Sequence, residues 1–299
     1  MKIFLVQLIP SLLILCGLFV AICFFAIASK RLKRGRRNPL TSDLLRIPGG
    51  SLRNHVEDLS FDIVGFGLCF MVVPLVFYTQ IVTQGSFGGQ GLNPYFMALL
   101  AMAVSIYMGV RIFKLMRQRN RLRLGMECEM AVGQELNQLM LQGCRVYHDF
   151  PAQNFNIDHV VIGPAGVFAV ETKGRAKPDK GRGAEDVRVV YDGKSLQFPG
   201  WCETEPIAQA QRQAQWLARW LKSAVGQDVL VKPALALPGW YVERKDLDMV
   251  VFNSKNPGFL ARPKGERVLS DELIQRVAHQ VEQRCRTEEP LSYSRKKVK

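Results

Sequence analysis

NIDHVVIGPAGVFAVETKG, residues 156–174, reads as two apolar arms around a Gly163-Pro164-Ala165-Gly166 turn. With Pro164 at the second position of a four-residue turn, Ile162 pairs with Val167, and each further pair steps one residue outward on both arms. That register sets Asp158 opposite Glu171, with Cβ atoms about 5 Å apart. Lys173, two residues on, shares the face of Glu171. A bulge at Gly166 would instead bring Asp158 opposite Thr172. Charges in strands this apolar need partners, because an unpaired buried charge is costly or titrates away. Two opposed carboxylates tolerate each other when a cation lies between them, and Mg²⁺ (or Mn²⁺) prefers carboxylate oxygens and retained waters. A lysine beside the ion would stabilise developing phosphate charge or position an attacking water. The plain alternative is an Asp-Lys or Glu-Lys pair on a solvent-facing side of the hairpin.

Working outward, Glu127–Gln142 has a helical stripe of Val132, Leu136, Leu139 and Met140, with Gly143 as its stop. Glu135 falls within that stripe, either as a flank residue or as a carboxylate turned towards a site. Cys144–Phe150 reads as a strand leading into the hairpin. Beyond the hairpin, Arg175–Gly183 is a polar loop in which Lys177, Lys180 and Arg182 are candidate phosphate contacts. Val187–Tyr191 and Ser195–Phe198 flank Asp192-Gly193 as a small second hairpin. Pro206 then opens a helix striped by Ile207, Ala210, Ala214, Leu217, Ala218 and Leu221. Gln209, Gln213 and Trp220 line one flank of that stripe. Val229–Leu237 and Leu247–Phe252 read as strands, Asp271–Arg286 as a closing helix and 287–299 as a polar tail. This order predicts an α/β domain, a mixed sheet flanked by helices, over 125–286.

Residues 1–124 are different in kind. Ile3–Ala28, Ile63–Phe87 and Asn93–Val110 carry no charge and suit transmembrane helices over about 3–28, 61–83 and 93–113. The chain's formal charge is +14, but its first 124 residues hold 15 Lys/Arg against 4 Asp/Glu and the remainder 25 against 22. The basicity therefore follows the apolar segments, with clusters at 30–37 and 111–123, and is weak evidence for nucleic acid. By the positive-inside rule the N-terminus lies outside, 29–62 inside, 84–93 outside, and everything after the third helix in the cytoplasm. A cleaved leader fits the first segment poorly, because its apolar core is long and its positive charge follows rather than precedes. The absence of charge within the first two segments disfavours a transporter or channel. Seven cysteines without a C-x-x-C pair predict free thiols in a reducing compartment.

Gly133-Gln134-Glu135, Ile157-Asp158-His159-Val160-Val161-Ile162-Gly163, Gly166-Val167-Phe168 leading to Glu171-Thr172-Lys173, and Pro206-x-x-Gln209 together resemble the NERD (nuclease-related) domain over roughly 125–240. Through it they resemble the PD-(D/E)XK nuclease superfamily. The resemblance implies a restriction-endonuclease-like core. Asp158 and Glu171 match the metal carboxylates, Lys173 the catalytic lysine, Glu135 the helix-borne acid and Gln209 the helix glutamine. It also implies Mg²⁺- or Mn²⁺-dependent phosphodiester hydrolysis of nucleic acid, DNA ahead of RNA. Two features depart from the family: no tryptophan closely follows the E-x-K strand, and Glu205 replaces the usual Asn before Pro206. The whole reads as an integral protein of a bacterial inner membrane, in contact with lipid and with its nuclease-related domain in the cytoplasm. The alternative is a catalytically inactive module of the same fold that binds nucleic acid or protein at the membrane.

Overall fold

The computed structural model describes residues 2–32, 38–87, 92–178, 184–263, 269–290 and 292. In chain order the first elements are α1 (Lys2–Leu32), β1 (Leu44–Leu45), α2 (Gly50–Phe87) and α3 (Pro94–Asn137). Then come β2 (Arg145–Pro151), β3 (Asn156–Gly163), β4 (Gly166–Thr172), β5 (Arg188–Tyr191), β6 (Leu196–Phe198) and β7 (Trp201–Glu203). The remainder is α4 (Glu205–Val225), β8 (Val231–Ala236), β9 (Tyr241–Arg244), β10 (Val250–Phe252), α5 (Asp271–Cys285) and β11 (Arg286–Glu288). Two compact units result, one of residues 1–41, 55–120 and 290–299, the other of 42–54 and 121–289.

The first unit contains the apolar lengths of α1, α2 and α3, all three long and apolar enough to cross a membrane. Their large side chains face outward: Phe24, Phe25, Phe61 and Tyr95 are each at least 73% exposed. The expected third span, 93–113, and the expected helix 127–142 are parts of one continuous α3, which has proline only at its first position. A 3₁₀ turn over Gln138–Gln142 follows, and Gly143 ends it in the left-handed region at φ +84°, where a side chain would be strained.

The second unit is built on a five-stranded mixed sheet in the order β10-β8-β4-β3-β2, with β8 parallel to both neighbours and the rest antiparallel. The hairpin takes the simple register: Gly163 pairs with Gly166, Ile162 with Val167 and so on to His159 with Val170. One face carries the α3 residues Val132 and Leu136 against Val161, Phe168 and Val170. The other carries Ala214, Leu217 and Leu221 of α4 and Val277 and Val281 of α5 against Val160, Ile162, Val167 and Ala169. α4 forms because Pro206 fits its first turn and one stripe is apolar; Gly226 stops it. α5 is capped by the Ser270 hydroxyl, which accepts the Leu273 N–H, with Asp271 and Glu272 in its positive first turn.

The small hairpin is half of a four-stranded sheet, β7-β6-β5-β9, closed over its own core around Trp240, Tyr191 and Leu196. Residues 241–289 lie in the same unit, through β10 at the sheet edge and α5 on its face. The compact unit runs over 42–54 and 121–289, because β1 pairs with β11 and draws 42–54 in as a strap. The strap comes so close to α3 that a Cβ on Gly133 would lie 2.7 Å from Pro48 Cβ, so only glycine fits there.

Candidate functional site

The site lies where the β3–β4 ladder ends. Carried one residue past His159–Val170, its register sets Asp158 opposite Glu171. There the Thr172 N–H donates to Asp158 Oδ2 at 2.7 Å, so a carboxylate takes over from the ladder's carbonyls. Glu171 is 2% exposed and is met from two sides. Its Oε1 accepts Gln209 Nε2 at 2.8 Å and Lys173 Nζ at 2.5 Å; its Oε2 accepts Gln213 Nε2 at 2.6 Å. Gln209 and Gln213 stand one turn apart on α4, so a single helix face orients the buried carboxylate. The Gln213 nitrogen also reaches the Asn156 carbonyl at 3.4 Å, while its buried Oε1 has no hydrogen-bond partner.

Charge is unbalanced here. Burial pushes the Asp158 carboxyl well above the ordinary range, and the fields of Glu171 and Glu129 push it the same way; the Thr172 N–H and Lys173 oppose them only in part. Glu129 is pushed up to about 8 by burial, then by Asp149 and Glu171, with Lys173 opposing. It stands on the part of α3 that belongs to the domain. Glu129 is the helix acid whose field reaches the hairpin pair, and the sequence reading did not single it out. Its signal was there, three residues before Val132 and seven before Leu136, both fully buried. Glu135 is half-buried and accepts a bond from Gln138 Nε2 at 3.2 Å. It is not among the groups acting on Asp158.

Behind the pair runs a buried polar chain. His159 Nε2 lies 3.2 Å from Thr172 Oγ1, His159 Nδ1 2.9 Å from His148 Nδ1, and His148 Nε2 3.0 Å from Asn137 Oδ1. With the Asn137 oxygen accepting, one neutral assignment satisfies every contact. His148 Nε2–H donates to Asn137, His159 Nδ1–H to His148, and the Thr172 hydroxyl to His159. Burial holds His148 down to about 4; burial and then His148 hold His159 well below its ordinary value. The chain anchors Thr172, whose N–H fixes Asp158. Sequence alone offered no sign that the histidine of the I-D-H stretch meets another across β2–β3.

Past Lys173 the backbone is pinned to the smaller sheet. Arg175 donates to both oxygens of Glu203 at 2.7 and 2.6 Å, and Trp240 Nε1 donates to the Arg175 carbonyl at 3.2 Å. Lys177 holds its ammonium over the Trp240 ring at 5.9 Å. Lys180 and Arg182 lie outside the described residues. Among the described residues no three His, Cys, Asp or Glu side chains are grouped so as to hold an ion between them. The carboxylates on offer are the pair Asp158 and Glu171.

Residues 124–238 match the family model described as the nuclease-related domain, NERD. No curated protein and no solved structure matches the chain.

Proposed function

We propose that the chain is a membrane-anchored nuclease that hydrolyses phosphodiester bonds of nucleic acid, DNA ahead of RNA, with Mg²⁺ or Mn²⁺ as cofactor. The observation that carries this reading is the carboxylate pair at the end of the hairpin: Asp158 stands opposite Glu171, and Lys173 Nζ lies 2.5 Å from Glu171 Oε1. Burial and the fields of Glu171 and Glu129 disfavour charge on Asp158, and a divalent ion between the two carboxylates would offset that repulsion. Asp158 and Glu171 would hold the ion, which when bound lowers the pKa of a water and stabilises charge on the phosphate. The protein's own groups do the rest. Gln209 and Gln213 keep Glu171 oriented and the Thr172 N–H keeps Asp158 in place, while Lys173, held at Glu171, would stabilise developing phosphate charge or position the attacking water. Glu129 and Glu135 are the two candidates for the helix-borne acid, and the electrostatics favour Glu129. Lys177, Lys180 and Arg182 are proposed to contact the phosphate backbone. The outward-facing apolar helices support a bilayer anchor.

One observation favours the second reading, a module that only binds nucleic acid or protein. Three donors already occupy both oxygens of Glu171, so the site is closed by Lys173 as it stands. The two readings differ in a single experiment on the full chain in detergent. For the nuclease, millimolar Mn²⁺ raises the melting temperature, with about 2.7 kcal/mol gained at a hundredfold excess over Kd. Labelled DNA or RNA is then cut. Asp158→Asn abolishes both effects yet leaves the metal-free protein as stable as before or more so, because a carboxyl held above its ordinary pKa costs stability at neutral pH. No metal-dependent shift and no cleavage would leave the binding module.

A further inference from the structure

One face of α4 continues beyond the glutamines. Gln209, Gln213, Trp216 and Trp220 are spaced four, three and four residues apart, a single helical stripe that is polar at the carboxylate pair and aromatic farther on. Phe155 meets its aromatic half. This residue is 38% exposed in the β2–β3 connection, and its ring stands edge-on to Trp216, with centroids 5.6 Å apart at 76°. Trp216 and Trp220 are parallel within 4°, and Arg284 of α5 lies over both, at 5.9 and 5.4 Å from the ring centres.

The inner part of this cluster is structural. Phe150 is fully buried, and Arg284 Nε donates to the Pro151 carbonyl at 2.7 Å, which ties α5 to the end of β2. The outer part is packed on one side and open to water on the other. Phe155 keeps over a third of its surface in water, Trp216 is half-buried, and among the described residues no carboxylate pairs with Arg284. The cluster also adjoins the site. Phe155 precedes Asn156, and the Gln213 nitrogen that reaches the Asn156 carbonyl is the one that holds Glu171. An exposed aromatic ring beside a guanidinium that has no carboxylate partner among the described residues, next to the proposed phosphate-processing centre, is the arrangement that takes an unstacked base and its phosphate.

We propose that the exposed Phe155 ring, supported edge-on by Trp216, is a stacking platform for an unpaired base of the bound strand, with Arg284 facing the adjoining phosphate, so that the preferred substrate is single-stranded or frayed nucleic acid. This rests on the nucleic-acid reading above. A duplex keeps its bases stacked on each other and offers the platform none, whereas a single strand gives up a base at little cost.

The test is binding, without cleavage. The full chain in detergent with EDTA is titrated with a labelled single-stranded DNA 12-mer, the same backbone made of abasic residues, and the matching duplex. The 12-mer binds more tightly than the abasic strand or the duplex. Phe155→Ala weakens 12-mer binding about 5- to 100-fold, the range for loss of one base stack, and leaves the abasic strand almost unaffected. Phe155→Tyr restores binding, which separates stacking from a folding defect. If Phe155→Ala binds the 12-mer as wild type does, or loses equally on the abasic strand, the platform is overturned while the nuclease reading stands. If no oligonucleotide binds, with or without Mn²⁺, the nucleic-acid reading itself falls and the platform with it.

Discussion

His148 and His159 meet nitrogen to nitrogen in the core, and burial holds both below their ordinary pKa, His159 further by the field of His148, so that both stay neutral. His148 titrates at about 4 in the folded chain and near its ordinary 6.5 in the unfolded one. The unfolded state therefore binds the proton first, and stability falls as pH drops from 6.5 towards 4, by about 3 kcal/mol for His148 alone. Glu129 works in the opposite sense. Its folded carboxyl, held up to about 8, binds a proton before the unfolded one does, which adds stability as pH falls through that range. The readout is thus a difference. His148→Gln loses stability at neutral pH with the broken chain, but its melting temperature falls less steeply than wild type between pH 6.5 and 4.5. Parallel slopes in the two proteins would mean that His148 is charged in the fold.

At the scale of elements, the strap 42–54 is held by its pairing with β11 and by one buried acid. Asp149 is 2% exposed, and at φ +48° it is the one non-glycine residue among those described with a left-handed backbone. Carried across the β2–β3 register, it is the residue opposite Asp158, yet its carboxylate turns to other partners. Oδ1 accepts the Ser51 hydroxyl at 2.9 Å and Asn156 Nδ2 at 2.8 Å; Oδ2 accepts the Ser51 N–H at 3.1 Å and Arg46 Nη1 at 3.2 Å. A carboxylate at the first turn of α2 satisfies a helix N–H and suits the positive end of the dipole. Arg46→Ala is expected to cost about 1–3 kcal/mol, since it leaves a buried acceptor short of its charged donor, and Ser51→Ala to cost somewhat less. A fragment beginning at residue 125 lacks both donors and melts well below the full chain. A fragment as stable as the full chain, by circular dichroism on heating, would reduce the strap to a surface decoration.

For the whole molecule, the decisive pattern is where charge accompanies apolar length. Lys and Arg cluster after the first and third apolar segments, and residues 84–93 hold none. By the positive-inside rule we propose an orientation with the N-terminus outside and the domain of residues 121–289 in the cytoplasm. A reporter fused at the C-terminus should be active only in the cytoplasm, and one inserted within 84–93 only outside; swapped signals would invert the topology. Because α3 is continuous, the helix that would cross the bilayer is also the one that carries Glu129, Val132 and Leu136 of the domain.

What the sequence determined by itself is what local chemistry determines. The Gly163–Gly166 turn set the register that aligns Asp158 with Glu171, and the spacing of two set Lys173 on the Glu171 carboxylate. Pro206 and the 3.6-residue stripe set α4, and uninterrupted apolar length set the three long helices. Each of these follows from residues within a turn or two of one another, where periodicity and φ preferences act directly. What only the tertiary structure decided joins residues far apart in the chain. The pairing of β1 with β11 places 42–54 in the domain, and Trp240 closes a second sheet built around what the sequence shows as a small second hairpin. The same holds for the two histidines, which a strand pairing brings together, and for Gln213, which Glu171 claims from what looked like a polar boundary. Glu129 was left unnoticed for the same reason. A carboxyl becomes part of a site by losing water and gaining charged neighbours, and neither loss nor gain is written in the spacing of its own helix.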